Sequence, residues 1–174
     1  MTATEHVAGT TGKEFVISRT FDAPRERVWK AWSEAEQLER WWGPKGFAIH
    51  IAKLAFRPGG VFHYRMRASN GHEMWGRFAY REIVAPERII FVSSFSDEKG
   101  GIARAPFSET WPFEILNNLT LTEEDGKTVV MLRGGPINAT DEERKMFAGF
   151  FDSMRQGFGG TFDQLEAHLA KALS

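Results

Sequence analysis

The strongest hydrophobic pattern in the chain lies in its C-terminal segment. Apolar residues recur there at spacings of three and four, which places them on one face of an α-helix. The stripe consists of Phe147, Phe150, Phe151, Met154, Phe158, Phe162, Leu165 and Leu169. Thr140 and Glu143 carry the signature of a capping box, so the pattern predicts one helix from Thr140 to Leu173. A helix face with this many phenylalanines needs a wide apolar surface to receive it.

Upstream of this segment the periodicity changes to that of strands, with turn residues between the apolar stretches. The predicted strands cover residues 14–21, 47–55, 61–67, 73–84, 88–96, 113–122 and 127–134. The last six follow one another without an intervening helix, which predicts an antiparallel meander. Asn70-Gly71 indicates a type I′ hairpin turn, and Gly134-Gly135-Pro136 indicates a turn after the last strand.

Two short helices are predicted between the first and second strands. The first covers residues 25–32 and begins after Pro24. The second begins at a capping box formed by Ser33 and Glu36 and ends at Gly43-Pro44. The pattern therefore predicts an α+β fold, in which a seven-stranded curved antiparallel sheet wraps around a long C-terminal helix.

Alternation along the strands identifies the face of the sheet that receives the helix. Phe62, Tyr64 and Met66 alternate with polar residues and share one face. The strand over residues 88–96 is apolar on both faces. We place its Phe91 and Phe95 inward, because the aromatic stripe of the helix needs partners.

One connection is much longer than the others. Residues 96–112 include two adjacent glycines and two prolines, but also Ile102, Phe107 and Trp111. Loops of this length are typical of functional lids and of disordered segments. The sequence leaves both interpretations open.

Composition narrows the class of protein. The 174 residues predict a single domain over 14–173 behind a polar tail over 1–13. The net charge of -1, without any run of Lys or Arg, predicts neither a nucleic-acid partner nor a membrane partner. No apolar run is long enough to span a bilayer, and no signal peptide precedes the domain, so a cytoplasmic location is expected. The absence of cysteine excludes disulfides and thiolate chemistry.

Candidate catalytic and metal-binding residues are few. The five histidines lack the spacing of a zinc site, so we predict no metal. Neither a Gly-x-Ser-x-Gly elbow nor a phosphate-binding loop is present, and we predict no catalytic residue and no cofactor. Acid–base chemistry in the interior would need His63, Glu109, Glu114 or Asn117 to point inward, and strand parity places His63 and Glu114 outward.

Four motifs follow one another along the chain. They are Phe-Asp-Ala-Pro-x-x-x-Val-Trp-x-Ala-Trp at 21–32, Leu-x-x-Trp-Trp-Gly-Pro at 38–44, Arg-Pro-Gly-Gly at 57–60 and Glu-Ile-Val-Ala-Pro-Glu-Arg-Ile at 82–89. Together they resemble the family named for the C-terminal domain of the activator of heat shock protein 90 ATPase, within the START-like (SRPBCC, birch-pollen-allergen-like) superfamily. The resemblance covers about residues 14–170.

The resemblance implies a helix-grip fold, in which the sheet grips the C-terminal helix and a cavity lies between them. It brings no catalytic motif. The segment Gly157-Phe158-Gly159-Gly160 departs from the Gly-Trp pair that is usual in the family, and Phe158 takes the tryptophan position. We expect these glycines to mark a bend in the helix or a close approach to it.

The predicted function is binding of a small hydrophobic or aromatic molecule in a cavity of about 300 Å³ or more. The residues predicted to line it are Trp42, Phe62, Tyr64, Phe78, Phe91, Phe113, Phe147, Phe151, Met154 and Phe158. The same aromatic side chains could instead fill the space as ordinary core. One alternative function is a protein-interaction module resembling a co-chaperone, which needs an exposed apolar patch. Another is an enzyme of the cyclase or hydrolase type, which needs two polar groups converging in the cavity. The chain could act as a monomer or a homodimer.

Overall fold

Within residues 14–172, which the computed structural model describes, the chain forms seven strands and four helices. The predicted tail over 1–13 and the last two residues lie outside that range. The elements in chain order are β1 (Phe15–Phe21), α1 (Arg25–Ser33), α2 (Ala35–Trp41), β2 (Phe47–Leu54), β3 (Val61–Ala68), β4 (Glu73–Val84), β5 (Arg88–Ser96), β6 (Glu114–Glu124), β7 (Lys127–Ile137), α3 (Asp141–Ala148) and α4 (Phe151–Ala172).

The seven strands form one antiparallel sheet in the order β1-β7-β6-β5-β4-β3-β2. β1 pairs with β7, so the start and the end of the meander meet while α1 and α2 lie between β1 and β2 along the chain. Register shifts after Ile51 and Tyr80 mark bulges, which increase the local twist of a sheet. The long α4 lies against the sheet and against both short helices. The predicted α+β helix-grip fold is confirmed.

The predicted single C-terminal helix is wrong, because the segment is broken into α3 and α4. The capping box at its start is present, with the Glu143 N–H donating to Thr140 Oγ1 (3.1 Å) and the Thr140 N–H donating to Glu143 Oε1 (3.0 Å). α3 ends at Gly149, and the Phe150 N–H turns back to the Phe147 carbonyl at 3.1 Å. Glycine is a weak helix former. Spacings of three and four continue across the break, so the pattern could not reveal it.

The glycines at 157, 159 and 160 do not interrupt α4, which is continuous through them. An added Cβ would meet nothing within 4 Å at Gly157 or Gly159, and at Gly160 it would lie 3.4 Å from Lys45 Cγ, so the expected close approach is no more than ordinary van der Waals contact. The capping box predicted at Ser33 is also wrong. Ser33 is the last residue of α1, and the extended residue before α2 is Glu34 (φ -107°, ψ 133°). A cap needs that extended backbone, so the Ser33 hydroxyl cannot serve.

The turn predicted at Gly134-Gly135-Pro136 is wrong, because β7 continues through these residues to Ile137. Gly134 pairs with Asn117 and Pro136 pairs with Ile115 of β6. Proline is tolerated there because pairing with β1 ends at Gly134, which leaves the far side of β7 unpaired.

The Asn70-Gly71 hairpin is present, but only Gly71 has a positive φ (91°), so its turn is not of type I′. A type I′ turn needs positive φ at both central residues. That condition is met between β6 and β7, where Asp125 has φ 53° and Gly126 has φ 78°.

Residues 97–112 fold back onto β5. Ile102 bridges to Ser96, and the Ala103 N–H donates to the Phe95 carbonyl at 2.9 Å. The Asp97 carboxylate accepts from the backbone N–H groups of Lys99 and Gly101, each at 2.9 Å. These contacts carry the loop from the end of β5 across to α3 and α4.

Candidate functional site

A cavity of about 240 Å³ lies between the concave face of the sheet and the C-terminal helices. It is smaller than the 300 Å³ expected from the sequence. Strands β1 and β3 to β7 supply most of the wall, α1 and the end of α2 contribute tryptophans, and α3 and α4 cover it. Trp111 and Pro112, at the end of the long loop, complete it.

Most of the side chains predicted to line a cavity meet around this space. They are Trp42, Tyr64, Phe78, Phe91, Phe147, Met154 and Phe158. Phe95, which was expected to point inward, also lies in the wall. Whether these side chains bind a ligand stays a prediction.

Phe62, Phe113 and Phe151 lie outside the wall. Phe62 points inward but is fully buried in core, packed on Tyr64 and Phe78 with ring centroids 4.7 and 5.2 Å away. Phe113 precedes β6, so no ladder holds its orientation. Its ring is 40% exposed and lies under the Arg104 guanidinium, at 3.7 Å from Cζ to the ring centroid. Phe151 begins α4 and packs between the rings of Phe15 and Phe147.

Several wall residues were missed by sequence reasoning. They are Phe15, Trp32, Met66, Gly76, Ser93, Ser94, Trp111, Pro112, Ile115, Asn117, Leu132 and Gly134. Ile115 and Asn117 are two residues apart in β6, so strand alternation could have placed both on the inward face. Nothing in the sequence around Gly76 indicated that it lies in the cavity wall. An added Cβ there would lie 2.6 Å from the Tyr64 hydroxyl oxygen, so this glycine makes room for the Tyr64 ring.

The best-anchored polar group in the wall is the Asn117 amide. Its Nδ2 donates to Ser93 Oγ at 2.9 Å and to the Ile115 carbonyl at 3.0 Å. A Cβ on the facing Gly134 would lie 2.7 Å from Asn117 Oδ1, so the glycine is what lets the amide fit. The amide is therefore held to the sheet by its own strand and by β5.

A second polar group of the wall consists of the tryptophans of α1 and α2 together with Tyr64. The indole Nε1 atoms of Trp32 and Trp42 are buried and have no hydrogen-bond partner among residues 14–172. Trp41, in the same cluster, donates to the Ala31 carbonyl at 2.9 Å. Burial raises the pKa of Tyr64 to about 12, and the nearby Trp42 indole opposes that rise without meeting hydrogen-bond geometry. Tyr64 therefore stays protonated at neutral pH.

No carboxylate, histidine, lysine or arginine lies in the wall formed by the described residues. His63 is buried on the opposite side of the sheet, where Nε2 lies 3.0 Å from the Asp97 carbonyl oxygen and the ring stacks on Trp75. Glu114 accepts from Asn138 Nδ2 at 3.2 Å, and Glu109 is exposed. The cavity can therefore offer apolar contact and neutral hydrogen bonds, but no group that exchanges protons near pH 7.

A partly buried ion pair joins the long loop to α3 beside the cavity. Arg104 Nη1 lies 2.7 Å from Glu143 Oε2 and donates to the Trp111 carbonyl at 2.9 Å. The hydrogen bond from Arg104, together with the backbone N–H of Thr140, holds the pKa of Glu143 below its usual range. The loop that carries Trp111 is therefore tied to the helix that carries Phe147.

Residues 14–172 contain neither a metal-binding cluster nor a membrane-spanning helix. No group of three or more His, Asp or Glu residues there is arranged to hold a metal ion. None of the helices in this range has the length and apolar character needed to cross a membrane.

Solved structures with the same fold are similar to this chain. A protein from Arthrobacter aurescens is 26% identical, with a TM-score of 0.76, and the alignment covers 95% of this chain and 93% of that one. A protein from Mycobacterium smegmatis is 26% identical, with a TM-score of 0.71 and 88% of each chain covered. An AHSA1 protein from Silicibacter pomeroyi is 16% identical, with a TM-score of 0.70 and 92% and 99% covered, which supports the fold alone.

Sequence comparison identifies the family. A search among curated proteins found no match. The profile of the family described as activator of Hsp90 ATPase homolog 1-like protein matches residues 22–170. This match includes the four motifs singled out above except Phe21, and the cavity wall except Phe15. The chain therefore belongs to the activator of Hsp90 ATPase homolog 1-like family.

Proposed function

We propose that this protein binds a small uncharged molecule, largely apolar and of roughly ten non-hydrogen atoms, in the cavity between the sheet and the C-terminal helices. The observation that carries the proposal is the cavity itself, about 240 Å³ in volume and walled mainly by aromatic rings. A cavity of about 150 Å³ holds benzene, and scaling by volume gives the size of the ligand.

The composition of the wall supports binding over turnover. Asn117 and Ser93 form a polar pair there, which the enzyme alternative needs, but the Asn117 Nδ2 donor is used on Ser93 Oγ and on the Ile115 carbonyl, and both side chains are neutral. The only ionisable side chain in the described wall is Tyr64, whose pKa is raised by burial. Such a wall favours apolar contact and disfavours charged ligands, because an unpaired charge is very unfavourable in an apolar site.

The experiment that tests binding uses small fused-ring hydrocarbons as probes. Differential scanning fluorimetry with 1-methylindane at a hundredfold excess over its Kd is expected to raise Tm by about 5 °C or more. Native mass spectrometry of the same samples should show a one-to-one complex. A protein whose Tm is unaffected by every probe of this size would contradict the proposal.

A matched pair of variants locates the binding. Met154 lies in the wall, whereas Gln156 is exposed on the same helix. Met154→Trp is expected to fill part of the cavity and to weaken probe binding at least tenfold, and Gln156→Trp to leave it unchanged. Equal affinities in the two variants would place the probe elsewhere.

The family supports a second candidate, docking on a chaperone of the Hsp90 class. Ile102 (44% exposed) and Phe107 (50%) lie in the long loop, and the Phe107 ring is half exposed although it also packs on Trp111 and Phe150. Exposed apolar side chains are typical of docking surfaces. A pull-down in which Phe107→Ser abolishes capture of the purified chaperone would support this candidate, and no capture by the unmodified protein would exclude it.

A further inference from the structure

The side-chain oxygen of Asn117 is a hydrogen-bond acceptor that opens on the cavity. Asn117 lies in the cavity wall and is only 7% exposed. Within residues 14–172, no group donates a hydrogen bond to its Oδ1 atom. The Oδ1 atom of the next residue, Asn118, also lacks a partner in this range, but it is enclosed by protein atoms, whereas Asn117 Oδ1 keeps open surface. Because Asn117 lines the cavity, that surface faces the cavity.

The hydrogen bonds of the amide nitrogen fix which end of the side chain is free. A primary amide has two N–H donors, and those of Asn117 Nδ2 are used on Ser93 Oγ at 2.9 Å and on the Ile115 carbonyl at 3.0 Å. The Phe91 carbonyl oxygen lies 3.5 Å from the same nitrogen. Exchanging nitrogen and oxygen would set an amide oxygen against these carbonyl oxygens, none of which can donate. The nitrogen is therefore committed to the sheet, and the oxygen is left for the cavity.

Gly134 leaves space beside this oxygen. It pairs with Asn117 across β6 and β7, and it also lines the cavity. A Cβ at Gly134 would lie 2.7 Å from Asn117 Oδ1, which is closer than van der Waals contact allows. Any other residue at this position would therefore cover or displace the acceptor.

We propose that the ligand carries a neutral hydrogen-bond donor, a hydroxyl or N–H group, and that this group donates to Asn117 Oδ1. The proposal rests on the proposed function and adds the chemical class of the ligand. Buried polar atoms are nearly always paired in folded proteins, and a donor on the ligand supplies the missing partner. An ammonium group would also donate, but the described wall has no carboxylate to compensate its charge, and an unpaired buried charge is disfavoured. The rest of the molecule packs against rings such as those of Phe91 and Phe158.

The test compares three probes of similar shape. 1-Indanol, 1-indanone and 1-methylindane have the same number of non-hydrogen atoms, and only 1-indanol carries a donor. Isothermal titration calorimetry gives the affinity of each probe for the wild-type protein and for Asn117→Leu, in which a branched apolar side chain replaces the amide. Relative to that for 1-methylindane, the affinity for 1-indanol is expected to fall about five- to tenfold in the variant, as for loss of one neutral hydrogen bond. The relative affinity for 1-indanone is not expected to fall.

Asn118→Leu is the matched control. Asn118 follows Asn117 on β6, so its side chain lies on the opposite face of the sheet, outside the described wall. The relative affinities of this variant are expected to equal those of the wild-type protein. If Asn117→Leu does not fold, Asn117→Val removes the same amide with a smaller side chain that suits a strand, and the same loss is expected.

Three results would overturn the inference. A relative affinity for 1-indanol that the loss of the amide leaves unchanged would show that Oδ1 accepts nothing from the ligand. An equal loss for 1-indanone would show that the amide does not act as an acceptor. Tighter binding of 1-aminoindane, a cation at neutral pH, than of 1-indanol would show that the donor is charged. If 1-methylindane binds in the cavity and any of these results is obtained, the inference fails and the proposed function stands. If no probe binds, both fail.

Discussion

The two halves of α4 face different interiors. The C-terminal half buries Phe162, Leu165 and Leu169 completely or nearly so, in a solid core with α1, α2 and the sheet. The N-terminal half, together with α3, presents Phe147, Met154 and Phe158 to a cavity. The same stripe of apolar residues thus forms a close-packed core at one end and encloses empty space at the other.

Polar anchoring explains part of this difference. At the solid end, Thr161 Oγ1 donates to the Gly43 carbonyl at 2.9 Å, and Gln164 Nε2 donates to the carbonyls of Trp41 and Gly43 at 2.9 and 2.8 Å. These bonds draw α4 onto the end of α2. At the cavity end, the helix is interrupted at Gly149, and rigid rings replace aliphatic side chains. Rings span a wide gap without filling it, because they have few rotamers with which to adapt.

The largest expected effect is a difference in the stability that is lost when a side chain is truncated at each end of α4. Leu165→Ala removes side-chain atoms from a fully buried site and is expected to lower the free energy of unfolding by about 2–5 kcal/mol. Met154 is only partly buried, so Met154→Ala removes less buried apolar surface and should cost less, about 1–2 kcal/mol. Urea denaturation of both variants measures the difference. Similar losses at the two positions would mean that the cavity end is as tightly packed as the solid end.

The next effect compares one ion pair at each end. Glu143 at the cavity end is buried and pairs with Arg104, whereas Asp163 at the solid end is about half exposed and pairs with Arg19 and Lys45. The pKa of each carboxyl is lowered, mainly by the hydrogen bond from its arginine. A carboxyl with a lower pKa in the folded than in the unfolded chain stabilises the fold when ionised. That contribution is lost as the pH falls through the lowered pKa.

Glu143→Gln is therefore expected to lower the free energy of unfolding by about 1–2 kcal/mol at pH 7. This difference from the wild-type protein should shrink as the pH falls from about 6 to about 3. Asp163→Asn is the control, and its effect should be smaller at every pH and disappear in high salt. Unfolding curves measured across this pH range test both statements. A Glu143→Gln effect that does not change with pH would show that the ionised carboxylate is not what ties the loop to α3.

The parts of the fold that sequence predicted well are those with local signals. β4 and β5 have the predicted bounds, because alternation and turn residues define a strand from its own sequence. The break at Gly149 was missed, since Phe147, Phe150 and Phe151 keep helical spacing across it. The extension of β7 through Pro136 was missed for a related reason. A proline can continue a strand only where no neighbouring strand needs its missing N–H. The local sequence does not show which side of the strand is unpaired.

The candidate site was likewise predicted only in part from the sequence. Strand parity and helix spacing identified most of the inward-facing aromatic residues, such as Tyr64, Phe91 and Phe158. Neither pattern could distinguish a side chain that fills the core from one that lines a cavity. This difference depends on how deeply rings from distant elements interdigitate. Trp32 entered the sequence analysis only as the last residue of the first motif. Its unpaired N–H became visible only when every acceptor around it had a position.

The smallest expected effect concerns the glycines of the cavity half of α4. An added Cβ at Gly157 meets nothing within 4 Å, and the residue lies in the interior of a continuous helix. Gly157→Ala should therefore raise the free energy of unfolding by about 0.5–1 kcal/mol, because alanine loses less backbone entropy on folding. Gly160→Ala is the comparison, since its Cβ would make ordinary van der Waals contact with Lys45, and its gain should be similar. Urea denaturation measures both, and titration with 1-methylindane shows whether stiffening this half of α4 changes binding. If Gly157→Ala destabilises the protein, the glycine serves a conformation of α4 other than the continuous helix, and the cavity end is mobile where the solid end is not.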